Sequence, residues 1–159
     1  MFVGLDYAEN ITVKYEQLAN QLDALLTGEK NRYANLSNAS ALLNQFFDRI
    51  NWVGFYLIED KELILGPFQG LPACIRIPLG RGVCGTAAHD KESIIVPDVN
   101  AFPGHIACDA ASQSEIVIPL VKEGVILGVL DIDSPELNRF TEDDRIGLEQ
   151  VVEVLVKHL

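Results

Sequence analysis

GHIACDAASQSEIVIPLVKEGVILGVLDID, residues 104–133, contains two apolar runs separated by Lys122-Glu123-Gly124. A short linker ending in glycine between two such runs predicts a β-hairpin. The first run, Glu115 to Val121, opens on a carboxylate, and the second, Val125 to Asp133, closes on another two residues after Asp131. Residues two apart on a strand face the same side, so Asp131 and Asp133 point together and Ile132 points away. Antiparallel pairing about the turn returns the end of the second strand to the start of the first, which brings Glu115 near both aspartates. Cys108 lies on the loop leading in. A thiol beside converging acids suits chemistry better than packing.

Outward from the hairpin, the chain supplies a sheet and helices to cover it. Ile11 to Leu26 reads as a helix with an apolar stripe of Val13, Leu18, Leu22, Leu25 and Leu26, closed by Thr27-Gly28. A second helix is expected from Asn31 or Arg32 to Phe47. Asn51 to Glu59, aromatic and β-rich, reads as a strand. Its period of two puts Trp52, Gly54 and Tyr56 on one face and Val53, Phe55 and Leu57 on the other, the aliphatic set being better suited to a core. The aromatics then line the opposite face, either around a pocket or packed under a loop or helix.

Leu63 to Leu65 and Ile75 to Ile77 are expected as short strands, with Pro67 to Pro72 a loop between them and Cys74 beside the second. Gly82 to His89 reads as a short helix, Ser93 to Val96 as a strand, and Asp98 to Gln113 as a long loop holding Cys108. Long loops in compact domains are often functional. Thr141 followed by Glu142, Asp143 and Asp144 marks the start of a closing helix that runs to about His158, with Ile146, Leu148, Val151, Val152 and Leu155 available for burial. The expected fold is α+β: residues 1–159 as one domain, with a central antiparallel sheet flanked by helices from both termini.

Composition excludes several classes. The 159 residues carry 12 Lys and Arg against 23 Asp and Glu, a net charge of -11, with no basic cluster. Phosphate backbones and anionic membrane surfaces are repelled, so neither nucleic acid nor membrane is an expected partner. No apolar run approaches the roughly 20 residues that cross a bilayer, and MFVGLDYAEN has no secretory pattern, so the cytoplasm is the expected location. Cys74, Cys84 and Cys108 are too few, and of the wrong parity, for a disulfide framework. In a reducing compartment they are thiols at rest, and a disulfide among them would be transient.

Three chemistries compete for these residues. Cys84, His89, His105 and Cys108 give C-x4-H and H-x2-C, which is not a standard zinc spacing, so no metal is expected. Cys108 with His105 or His89 as base would suit nucleophilic hydrolysis, but no orienting group or oxyanion motif accompanies them. Redox chemistry fits better. A thiolate that attacks an electrophilic sulfur or oxygen becomes a sulfenic acid and condenses with a second thiol. That cycle needs cysteines on mobile segments, and Cys108 and Cys74 both fall in or beside loops.

NWVGFYL, GVCGTAA, VPDV, GHIACDAASQSEIVIPL and GVLDIDSP, in this order, resemble the free methionine-(R)-sulfoxide reductases, a family built on a GAF domain. The resemblance spans about Tyr15 to Leu155. It implies Cys108 as nucleophile, Cys74 as the thiol that resolves the sulfenic acid into a disulfide, and Cys84 as an auxiliary thiol. It also implies substrate contacts at Trp52, Tyr56, Glu115, Asp131 and Asp133. The implied activity is reduction of the R epimer of free methionine sulfoxide, with thioredoxin as electron donor and partner, no bound cofactor, and a homodimer as one assembly left open. The residues agree with such a substrate, because an acidic pocket can pair with the ammonium of a zwitterion. Carboxylates crowded together also repel, which keeps at least one protonated and able to supply the proton that sulfoxide oxygen needs. The rival from another class, a sensory GAF module binding a small ligand, would need an effector domain for which this chain has no room.

Overall fold

The computed structural model describes residues 2–159, and its organising element is the predicted hairpin. Ser114–Lys122 and Val125–Ser134 pair antiparallel about Glu123 and Gly124, with Lys122 opposite Val125. Both turn residues have positive φ, 51° and 79°, as a two-residue turn matching the twist of a hairpin requires. In chain order the strands are Trp52–Glu59 (β1), Glu62–Gly70 (β2), Arg76–Pro78 (β3), Ile94–Val96 (β4), and the hairpin strands β5 and β6. They form a six-stranded antiparallel sheet in the order β3-β2-β1-β6-β5-β4.

Helices Ile11–Leu26 (α1), Arg32–Phe46 (α2) and Glu142–Val156 (α4) cover one face of this sheet. Val53, Phe55 and Leu57 point into the resulting core with Ile116, Ile118, Leu130 and Ile132. Asn10 and Asn31 cap the first two helices by accepting from the Val13 and Ala34 amides, and Thr141 and Asp144 form a reciprocal capping box on the third. The same Asp144 accepts a 2.7 Å hydrogen bond from the buried Tyr15 hydroxyl, tying α1 to α4. The helices approach closely there: a Cβ on Gly147 would sit 2.2 Å from the Tyr15 ring.

The opposite face carries helix Gly82–Asp90 (α3) and the long loops over a second core, which includes Trp52, Tyr56, Leu63, Ile77, Val83, Cys84, Val117 and Val129. The period-two reading of β1 therefore holds, with both faces buried. Two expectations need correction. β2 does not end at Leu65 but runs to Gly70, because β1 continues beside it with Phe68 opposite Gly54 and Gly70 opposite Trp52. Pro67 falls where the β1–β2 register shifts between Gly54 and Tyr56 and beyond the Ile64 end of the β3 ladder, so it has no paired position in either ladder. Val13 and Ile146 lie outside the apolar stripes of their helices, 41% and 47% exposed.

Candidate active site

The register of the sheet builds the site. Trp52 on β1, Asp133 on β6 and Glu115 on β5 lie side by side in one cross-strand row, and Gly54, Asp131 and Val117 form the next row on the same face. The three acids thus converge from two strands, as the hairpin pattern predicts. Gly54 leaves the space that its neighbours fill: a Cβ there would lie 2.3 Å from Phe68 Cβ and 2.9 Å from Trp52 Cη2. The Trp52 ring stacks on Phe68 at 5.2 Å and on Tyr56 at 5.9 Å between centroids, and its indole N–H donates to the Leu71 carbonyl at 3.1 Å. Tyr56 donates to the Cys74 carbonyl at 2.9 Å, so the aromatic wall also anchors the segment that carries this cysteine.

Cys74 and Cys108 are joined by a disulfide, with Cα atoms 5.3 Å apart. The bond draws the Cys108 loop over a small cavity of about 30 Å³ lined by Trp52, Tyr56, Cys84, Cys108, Glu115, Asp131 and Asp133, among others. That is room for about two waters.

Cys84 sits on α3, buried in the second core, and its thiol donates to Glu115 Oε1 at 3.8 Å. The small-residue helix is thus packing, as its composition suggests, and it also brings a free thiol into the acid cluster. The four residues weighed for zinc do not gather. His89 is exposed and pairs with Asp90 at 2.7 Å, and the Cys108 sulfur is held in the disulfide. His105 alone of the histidines reaches the cavity, with Nε2 3.8 Å from Glu115 Oε2. Burial lowers its pKa below the ordinary imidazole value, so at neutral pH this contact is not an ion pair.

Three residues escaped the sequence reading. Asn51, at the mouth of β1, donates from Nδ2 to Asp109 Oδ2 at 2.9 Å and to Ser112 Oγ at 3.1 Å, while its backbone N–H bonds the Asp133 carbonyl at 2.9 Å. Asp109 Oδ1 in turn accepts from the Ala111 amide at 2.8 Å. The segment following Cys108 is therefore fastened to the strand end that bears the acids. Polar residues at strand ends and in loops carry no period, so no local pattern points to them.

The acid cluster is electrostatically loaded. Burial, then repulsion from Asp131 and Asp133, holds the Glu115 carboxyl well above its ordinary pKa. Burial, then repulsion from Asp131 and Asp109, does the same for Asp133. Burial likewise raises Asp131, from 3.8 up to about 6. Cys84 is likewise raised by burial and by Asp131 and Glu115, and stays a thiol. Among the described residues, no Lys or Arg pairs with any of the three acids.

A stability prediction follows from the sign of these shifts. Between pH about 4 and about 6 the folded protein holds a proton on Asp131 that the unfolded chain releases, so this group's stabilising contribution is lost as pH rises through that window. Asp131→Asn, with no charge to bury, is expected to raise stability at pH 7 by roughly 1–3 kcal/mol, and the gain should vanish at pH about 4. Urea midpoints of both proteins at the two pH values measure this. An equal effect at both would exclude ionisation as the cause.

A GAF-domain family model matches residues 36–156. The chain is 55% identical over 150 residues to a free methionine-R-sulfoxide reductase of Escherichia coli (strain K12), the match covering 94% of this chain and 91% of that protein. Among solved structures, free methionine-R-sulfoxide reductase from Neisseria meningitidis in complex with its substrate has a TM-score of 0.92 at 42% identity, over 98% of this chain and 94% of the other. The reduced form of fRMsr of Staphylococcus aureus has a TM-score of 0.88 at 54% identity, over 91% and 94% of the two chains.

Proposed function

The chain belongs to the GAF-domain family of free methionine-R-sulfoxide reductases, and from that premise we propose that it reduces free methionine (R)-S-oxide to methionine with its own thiols as the immediate electron source. The observation that carries this reading is Cys108, bonded to Cys74, in the wall of the cavity that Glu115, Asp131 and Asp133 line.

In the reduced protein the Cys108 thiolate attacks the sulfoxide sulfur. The sulfoxide oxygen takes up a proton and passes to the cysteine, leaving methionine and a Cys108 sulfenic acid. The sulfur of the substrate is reduced by two electrons and that of Cys108 is oxidised by two. The Cys74 thiol then attacks the sulfenic sulfur, water leaves, and the disulfide of the present structure forms. Thioredoxin, a dithiol protein, returns the two electrons by thiol exchange, so the cycle needs no bound cofactor. Reduction also frees the Cys108 loop from the Cys74 segment. Such a reductant belongs to the cytoplasm, in keeping with the cysteine chemistry.

The acids divide the remaining work by their protonation. Asp131, ionised at neutral pH and with Oδ1 free of hydrogen bonds, takes the substrate ammonium. Glu115 and Asp133, whose pKa values burial and repulsion raise well above the ordinary carboxyl range, supply the proton to the sulfoxide oxygen. Trp52 and Tyr56 provide the apolar wall for the S-methyl end, and Cys84 is an auxiliary thiol behind Glu115.

The test is turnover with thioredoxin, its reductase and racemic substrate, followed by chiral separation. The R epimer should be consumed and the S epimer left. Acetylating the α-amino group should nearly abolish activity, since Asp131 would then be buried against a neutral amide at a cost of several kcal/mol, on the order of that for an unpaired buried charge. Equal rates on N-acetyl methionine sulfoxide, or on oxidised protein, would refute a pocket built for the free amino acid.

A further inference from the structure

Among the described residues no Lys or Arg meets the acid cluster, and one part of it has the geometry to hold an ion smaller than an amino acid. Cys84 comes from α3, Glu115 from β5 and Asp131 from β6, so their convergence is set by sheet register and helix packing rather than by a loop. One ligand atom from each lies within 4.8 Å of the other two. Asp131 is only 6% exposed, lines the cavity, and has an Oδ1 with no hydrogen-bond partner. A buried carboxylate oxygen without a partner is costly unless something cationic or hydrogen-bonding meets it.

We propose that Cys84, Glu115 and Asp131 form a binding site for a thiophilic divalent cation of the Zn²⁺ or Cd²⁺ type. The sulfur donor selects soft and borderline metals, whereas Mg²⁺ and Ca²⁺ need about six or more oxygen ligands that this cluster does not offer. Three protein ligands leave a fourth tetrahedral position for a water. The cavity of about 30 Å³ accommodates that water. On binding, the metal–sulfur bond replaces the S–H bond of Cys84, any proton on the ligating carboxyls is released as well, and these protons pass to solvent with no change of oxidation state. The cation draws on the Asp131 oxygen that the proposed function gives to the substrate ammonium, so on that reading it is an inhibitor and not a cofactor.

The experiment uses the fully oxidised protein, in which Cys84 is the free thiol. It is titrated with cadmium chloride in chelator-free buffer, and the ultraviolet thiolate-to-cadmium charge-transfer band is followed. The expected result is a saturable band at close to one cadmium per chain, removed by competing Zn²⁺. The band should be absent from Cys84→Ser, and Asp131→Asn should weaken binding roughly tenfold or more. No band from folded wild-type protein would mean that water alone meets the Asp131 oxygen, and the proposal falls. A band that survives in Cys84→Ser, or an affinity unchanged in Asp131→Asn, also overturns it. The wild-type and Asp131→Asn arms decide the matter even if Cys84→Ser fails to fold. No sulfoxide enters the titration, so its failure and the failure of the reductase reading are separate results.

Discussion

Cys108→Ser is expected to form no methionine even in a single turnover, while Cys74→Ser should release close to one methionine per chain and then stop. The first chemical step needs a nucleophile towards sulfur, and a neutral hydroxyl is a poor one. The second cysteine is needed only to reset the enzyme, by converting the sulfenic acid into the disulfide seen between Cys74 and Cys108. Cys84→Ser should matter less than either, since the Cys74–Cys108 bond forms without Cys84. Rapid acid quench of pre-reduced variants, with no reductant present, counts methionine per chain. A stoichiometric burst from Cys108→Ser with none from Cys74→Ser would mean that the two roles are reversed.

Amide replacements in the acid cluster should cost roughly tenfold or more in kcat/KM each, and should differ in which constant they move. Glu115→Gln and Asp133→Asn remove carboxyls whose pKa values burial and repulsion raise, so their loss should fall mainly on kcat. Asp131→Asn removes the charge that meets the ammonium, so its loss should fall mainly on KM. The same substitution is expected to stabilise the fold at neutral pH, because burying these carboxylates works against folding and is retained for chemistry. Steady-state kinetics on the three variants measures both constants. Three near-wild-type enzymes would leave the acids with no part in binding or catalysis.

Much of this was legible in the sequence because it is local. A period of two in β5 and β6, with Glu123-Gly124 between them, fixes which residues pair, and the pairing fixes that Glu115 faces Asp133. The same period in β1 puts Trp52 and Tyr56 on the acids' side of the sheet. What stayed hidden depends on distant neighbours. Pro67 to Gly70 looks like a loop until β1 is present to pair with it. Val13 and Ile146 fit their helical patterns, and only the tertiary packing leaves them outside. Asn51, Asp109 and Ser112 meet across a separation in sequence of about sixty residues, and a hydrogen bond of that reach leaves no local pattern. Cys84 reads as packing, and its contact with Glu115 exists because α3 lies across β5 and β6.

Reduction of one epimer of the free amino acid by the protein's own thiols can be measured without a partner protein. Pre-reduced wild-type protein, stripped of reductant, is mixed with excess racemic methionine sulfoxide, quenched in acid, and divided between chiral amino-acid analysis and a non-reducing peptide map. Close to one methionine per chain is expected, drawn from the R epimer and appearing in step with the Cys74–Cys108 disulfide. Methionine formed without that disulfide, equal loss of both epimers, or no methionine at all would contradict it.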